Sequence, residues 1–203
     1  MAHKPKRIGV FGGTFDPIHN AHLAMAQAAM RSAGLDRVLF VVSASPPHKR
    51  RGPLAGAEDR YAMVSEALAD EPGMAPSRVE LDRPGPSYMA DTLRILQDEY
   101  GDAELFLILG MDSLSDLPNW RAPQDILGRA RILAIPRPGH WSVPESLNGH
   151  YEVVPFQETT LSSTAVRARI ASGEPCDDLV PPCVVRLIEE RAIYDDTGAD
   201  GAG

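Results

Sequence analysis

The chain has 203 residues, 43% hydrophobic and 24% charged, which fits one large or two small soluble globular domains with room for a substantial core. Its formal net charge of −8 excludes a general nucleic-acid binder, whose surface would carry a basic excess. An anionic ligand must therefore meet local positive charge, and His48-Lys49-Arg50-Arg51 is the densest such cluster.

The first seven residues are basic, but the apolar run behind them stops at Phe11, too short for a secretory core or a membrane span. Cys176 and Cys183 have no neighbouring cysteines, so they match neither a zinc pattern nor a disulfide framework and read as free thiols in a reducing cytoplasm. There is no H-E-x-x-H and no internal repeat.

In chain order, residues 7–11 read as a first strand. The helix after Asn20, a good N-cap residue, places Leu23, Ala26 and Met30 on one face and stops at Gly34. Residues 38–42 form a continuous apolar run, as in a strand buried on both faces. A helix over 58–70 carries Tyr61, Val64 and Leu68 and ends at Pro72-Gly73; a short strand is expected near 79–81. Ser87 caps the next helix, with Leu93, Leu96 and Tyr100 in register and Gly101 closing it. Residues 105–109 give the strongest strand signal, followed by 132–135 and a weaker run at 152–154. Leu161 and Val166 bracket a Ser162 cap as a hydrophobic staple, and a last helix covers 182–191. The alternation predicts an α/β fold: a single-domain, Rossmann-like doubly wound parallel sheet with helices on both faces over residues 1–194, and a fraying tail over 195–203.

Every chemically unusual loop begins where a predicted strand ends: residues 12–22, 45–49, 110–113, 136–139 and 159–164. Open parallel sheets bind ligands at the carboxyl ends of their strands, so five loops should converge on one crevice. In the first, Gly12 and Gly13 allow close backbone approach, and His19 and His22 stand at the mouth of a helix whose amides favour anions. That combination points to a nucleotide phosphate site. It is not a dinucleotide fingerprint, since the glycines at 9, 12 and 13 do not fit G-x-G-x-x-G, and G-x-x-x-x-G-K-[ST] does not occur.

His19-Asn20-Ala21-His22 resembles the H-x-G-H signature of nucleotidyltransferases, with alanine standing for the glycine. Almost end to end, the chain resembles bacterial nicotinate-mononucleotide adenylyltransferases, through Ser45-Pro46-Pro47-His48-Lys49, the segment from Ser87 to Leu93, Gly110-Met111-Asp112-Ser113, Asn119-Trp120 and the segment from Leu161 to Arg167. The resemblance implies adenylyl transfer from ATP to nicotinate mononucleotide, with Mg2+ arriving on ATP and no protein-built metal site. His19, His22 and Arg167 would be catalytic. Gly12, Gly13, Thr14, Phe15, Gly110, Asp112, Arg137, Ser162, Ser163 and Thr164 would bind ATP, Asp112 through the adenosine ribose. Asp16, His48, Lys49, Tyr88, Met89 and Trp120 would bind the acceptor, Trp120 by stacking on the pyridine ring. Arg169, two residues beyond Arg167, should face elsewhere. The same chemistry on nicotinamide mononucleotide or phosphopantetheine, cytidylyl transfer from CTP, and a non-catalytic nucleotide-binding module are the alternatives.

Overall fold

The computed structural model describes residues 6–44, 54–139 and 141–194, so His48, Lys49 and the 195–203 tail lie outside the described residues. Six strands form one parallel sheet: β1 (Arg7–Gly13), β2 (Arg37–Val42), β3 (Met74–Ser77), β4 (Glu104–Gly110), β5 (Ala130–Ile135) and β6 (Tyr151–Val153), in the order β3-β2-β1-β4-β5-β6. The helices are α1 (Asn20–Ala33), α2 (Ala57–Leu68), α3 (Met89–Tyr100), α4 (Met111–Asp116), α5 (Pro123–Arg129), α6 (Ser163–Ala171) and α7 (Pro182–Glu190).

The apolar strand runs are explained by burial on both faces. In β4, Phe106 and Ile108 point into a core shared with α1, α2, α6 and α7, while Leu105, Leu107 and Leu109 point into a second core with α3, α4 and α5. β1 and β2 divide in the same way, Phe11 and Phe40 on one side, Val10 and Leu39 on the other. That period of two gives the sheet two hydrophobic faces and makes both helical layers obligatory.

Most expected elements form within a residue or two. Gly34 adopts φ 59° and returns its N–H to Met30, closing α1 in the left-handed geometry that glycine tolerates best. The α1 cap is His19 rather than Asn20, and the α3 cap is Tyr88 rather than Ser87. The strand expected at 79–81 sits earlier, at β3; residues 78–82 instead turn, Asp82 N–H bonding to Arg78 O. Pro76 obscures β3 in the sequence, yet this is an edge strand, where a missing N–H is tolerated. The short helices α4 and α5 were not expected.

Candidate active site

β1 and β4 are neighbours at the middle of the sheet, and the chain leaves them toward opposite faces, into α1 and into α4. A crevice opens at such a switch point, outside the carboxyl ends of the strands. Two cavities occupy it. The larger, about 650 Å³, is lined by Gly12, Gly13, Thr14, Phe15, Asp16, His19, His22, Gly110, Ser113, Arg137, Ser162, Ser163, Thr164 and Arg167, among others. The smaller, about 160 Å³, is lined by Gly12, Gly13, Thr14, Ser43, Glu80, Ser87, Tyr88, Met89, Trp120, Arg121 and Ile126. Gly12, Gly13 and Thr14 belong to both, so the two cavities meet over the turn that ends β1.

That turn is shaped by close packing. A Cβ on Gly13 would lie 2.7 Å from the Phe15 ring, and one on Gly12 would lie 2.8 Å from Met89 Cε. Phe15 itself holds φ 49° and is buried, its ring edge-on to Phe11 at 5.7 Å and to the His22 imidazole at 5.1 Å. The His19 and His22 rings stack with centroids 3.7 Å apart, and the His19 N–H donates to His22 Nδ1. His22 Nδ1 is thereby an acceptor, which assigns the ring proton to Nε2. Burial, helped by the positive charge of Arg137, lowers His19 to a pKa of about 4, so it is neutral at physiological pH. Its Nδ1 is buried without a hydrogen-bond partner. At Ala21, where the motif departs from glycine, the methyl is buried in the core shared with α2, and Ala21 is absent from the cavity lining.

Asp16 ties the first loop to three other parts of the chain. Its carboxylate accepts from the N–H groups of Leu54 (2.9 Å) and Ala55 (3.1 Å) and from the Tyr194 hydroxyl (2.8 Å). Arg167 bonds to the Asp16 carbonyl and stands 3.7 Å from its carboxylate. The carboxylate expected to touch the acceptor thus also holds the loop in place. Fully buried Arg60 completes this arrangement by donating to Ala55 O (3.2 Å), Thr14 O (2.8 Å) and Ser43 O (2.8 Å). The backbone carbonyls after β1 and β2 are therefore stapled together by one guanidinium.

The opposite wall is the start of α6. Ser162 Oγ accepts from Ala165 N–H as the expected cap, and Ser163 Oγ donates to Pro17 O at 2.9 Å, joining this helix to the first loop. Arg167 lines the larger cavity, whereas Arg169 turns away to Asp178. On the β4 side, Asp112 lies beside Arg137, with Oδ2 3.7 Å from Arg137 Nη1 and a buried, unpartnered Oδ1. Ser113 lines the larger cavity.

In the smaller cavity, Trp120 Nε1 donates to Asp116 at 3.3 Å. Arg60, Glu80, Arg121 and Tyr194 were not anticipated. Arg60 follows Glu58 and Asp59 in α2, and only its burial distinguishes it from them. Among the described residues no cluster of three or more His, Cys, Asp or Glu could hold a metal, and no helix is long and apolar enough to cross a membrane.

An open parallel sheet with two cavities joined over a glycine turn, a histidine pair at a helix mouth and a second helix start opposite defines a nucleotidyltransferase. Residues 10–169 match the cytidylyltransferase-like family, to which the chain belongs. It is 44% identical to a probable nicotinate-nucleotide adenylyltransferase of Gloeobacter violaceus, over 94% of this chain and 97% of that protein. A relative of the same name from Thermus thermophilus is 44% identical, over 93% of this chain and 99% of its own. Among solved structures, the nicotinic acid mononucleotide adenylyltransferase of Plasmodium falciparum complexed with NaAD superposes with a TM-score of 0.75 at 18% identity, covering 94% of this chain and 98% of that one.

Proposed function

We infer that the chain transfers the adenylyl group of ATP to nicotinate mononucleotide, giving nicotinate adenine dinucleotide and pyrophosphate in NAD biosynthesis. The observation that carries this reading is the meeting of the two cavities over Gly12, Gly13 and Thr14. A triphosphate in the larger and a mononucleotide in the smaller would face each other there. The full-length likeness to relatives named for this activity supports the choice of acceptor.

In this reaction an oxygen of the acceptor 5′-phosphate forms a bond to the α-phosphorus of ATP, and the bond from that phosphorus to the β-bridging oxygen breaks. Both electrons leave with pyrophosphate. The second pKa of a phosphate monoester is about 6, so the nucleophile is largely a dianion at neutral pH and needs no general base. What remains is alignment and the repulsion between two polyanions. His22, with its proton on Nε2, donates to the α-phosphate oxygens. Neutral His19 keeps the pair stacked and adds no charge to be desolvated. Arg167 and the first amides of α6 receive the β- and γ-phosphates, the guanidinium fork matching two phosphate oxygens at once. Asp112 and Arg137, close to Gly110, take the adenosine end. Mg2+ enters as part of the ATP substrate, and the reaction takes place in the cytoplasm.

The test is pyrophosphate release from the full chain with MgATP and nicotinate mononucleotide. Release that requires both substrates supports the reading, and no release with this pair overturns it.

A further inference from the structure

Asp16 and Arg167 both line the larger cavity, whereas Tyr194 is absent from that lining and reaches the site through Asp16. The Tyr194 hydroxyl donates to Asp16 Oδ1 at 2.8 Å, beside the N–H of Ala55, while Oδ2 accepts from the N–H of Leu54. Neutral donors thus satisfy both oxygens. Arg167 Nη1 stands 3.7 Å from Oδ2, beyond hydrogen-bond distance. The same guanidinium bonds to the Asp16 carbonyl, and its Nη2 lies 3.4 Å from Thr164 Oγ1. Residue 16 therefore steers Arg167 without neutralising it.

The residues that carry Tyr194 are firmly held. Arg191 pairs with Asp59 of α2 at 2.9 Å, and the Ile193 N–H returns to Ile188 O at 2.9 Å. Ile193 and Tyr194 are both buried in the core shared with α1 and α2. Ala192 and Tyr194 hold φ of 50° and 80°, left-handed values that side chains other than glycine adopt only where their surroundings impose them. Burial and the Asp16 charge push the Tyr194 hydroxyl up, so it stays protonated and donates at any working pH. Phenylalanine would fill the same space, so what the hydroxyl adds is its hydrogen bond.

We propose that Tyr194 is a positioning residue for adenylyl transfer: its hydroxyl satisfies the Asp16 carboxylate and so keeps the Arg167 guanidinium turned to the pyrophosphate end of the nucleotide. The proposal rests on the adenylyltransferase reading above, in which Arg167 receives the β- and γ-phosphates. Removing the hydroxyl takes a donor from a buried carboxylate whose charge is shared between both oxygens, which strengthens the pull of Oδ2. About 1 Å of travel then turns the 3.7 Å separation from Arg167 into a charge-assisted hydrogen bond. A guanidinium closed on a carboxylate holds phosphate less well, because its fork and its charge are already engaged.

The experiment is a double-mutant cycle of wild type, Tyr194→Phe, Arg167→Gln and the double variant. Ile193→Val is the control, since it loosens the same core without touching the hydrogen bond. Single-turnover transfer from MgATP to nicotinate mononucleotide, run well below the lowest melting temperature, reads the chemical step, and calorimetry reads the affinity for magnesium pyrophosphate. Tyr194→Phe should slow the step about 3- to 10-fold and weaken pyrophosphate binding by a similar factor, the value of one impaired charge-assisted contact. The steady-state KM for nicotinate mononucleotide should stay within about twofold, because the acceptor does not depend on Arg167. With Arg167→Gln already in place, the same substitution should change rate and affinity by less than about 1.5-fold while still lowering the melting temperature. Ile193→Val should lower the melting temperature and keep the wild-type rate. Equal losses in both backgrounds, no loss at all, or an equal slowing by Ile193→Val would make Tyr194 purely structural and overturn the proposal. Failure of wild type to release pyrophosphate with this pair would instead remove the adenylyltransferase reading, a result visible before any variant is made.

Discussion

The backbone N–H of His19 donates to Nδ1 of His22 at 3.2 Å, while the two imidazoles stack 3.7 Å apart with only 19° between their planes. One peptide group thus sets both the orientation and the tautomer of the second histidine, with the ring proton on Nε2. The three-residue spacing of the motif is what allows this, because residue 22 is at the third position of the helix that residue 19 caps.

His22→Ala should therefore remove a prepared donor to the transferring phosphate. Such donors contribute about 3 kcal/mol to transition states, which corresponds to a loss of about 100-fold or more in kcat. The helix dipole alone, at about 0.3–1 kcal/mol, cannot compensate. Steady-state kinetics with an intact circular-dichroism spectrum checks this, and a variant keeping half the activity would refute the role.

His19 makes stability depend on pH. Folded, it titrates at about 4, against 6.5 for an ordinary histidine. Between those values the unfolded chain holds the extra proton. The contribution is complete above pH 6.5 and declines as pH falls toward 4, with a slope of up to about 1.4 kcal/mol per unit. Urea unfolding at several pH values should show this decline in wild type and a flatter one in His19→Asn.

Tyr194→Phe removes the hydroxyl that donates to buried Asp16. Asp16 Oδ1 keeps its bond from Ala55 N–H, so the loss is one hydrogen bond to a charged group, about 1.5–3 kcal/mol, and the midpoint of denaturant unfolding should fall. Asp16→Ala should cost more, because it takes the acceptor from the amides of Leu54 and Ala55 and from the Tyr194 hydroxyl and removes the carboxylate beside Arg167. Since Arg167 also bonds to the Asp16 carbonyl, kcat should drop with stability in this variant.

Gly110→Ala would put a methyl against Asp112 Oδ1 and 2.8 Å from Arg137 Nε. Both neighbours are side-chain ends that can swing away, so the fold should tolerate it. Displacing them should raise the KM for ATP about 3- to 10-fold, the value of one or two hydrogen bonds, with the acceptor KM little changed.

Ala21→Gly would restore the glycine usual in the motif. Because the Ala21 methyl is packed in the core and not against the cavity, kcat should stay within about twofold while stability falls by about 1 kcal/mol from added backbone freedom and lost burial. A large gain in activity would show that the methyl crowds the phosphate after all.

The chain order of residue types was enough to determine the doubly wound sheet. Apolar runs such as 105–109 can be buried only with helices on both sides, and the glycine and histidine loop can follow only a strand that ends beneath a helix start. Local periodicity carried the expected helices, and among the described residues motif residues from the loops after β1, β4 and β5 and before α6 line the larger cavity; β3, hidden by Pro76, departed from expectation. Only the tertiary structure decided which charged residues serve as supports. Arg60 and Glu80 look like solvent-facing charges in sequence, yet Arg60 staples two strand-end loops and Glu80 anchors α3. Tyr194 lies 178 residues from the Asp16 it touches. Such contacts depend on burial and long-range closure, which leave no periodic signal in the chain, whereas strands, helices and strand-end loops are written in spacing that a sequence displays directly.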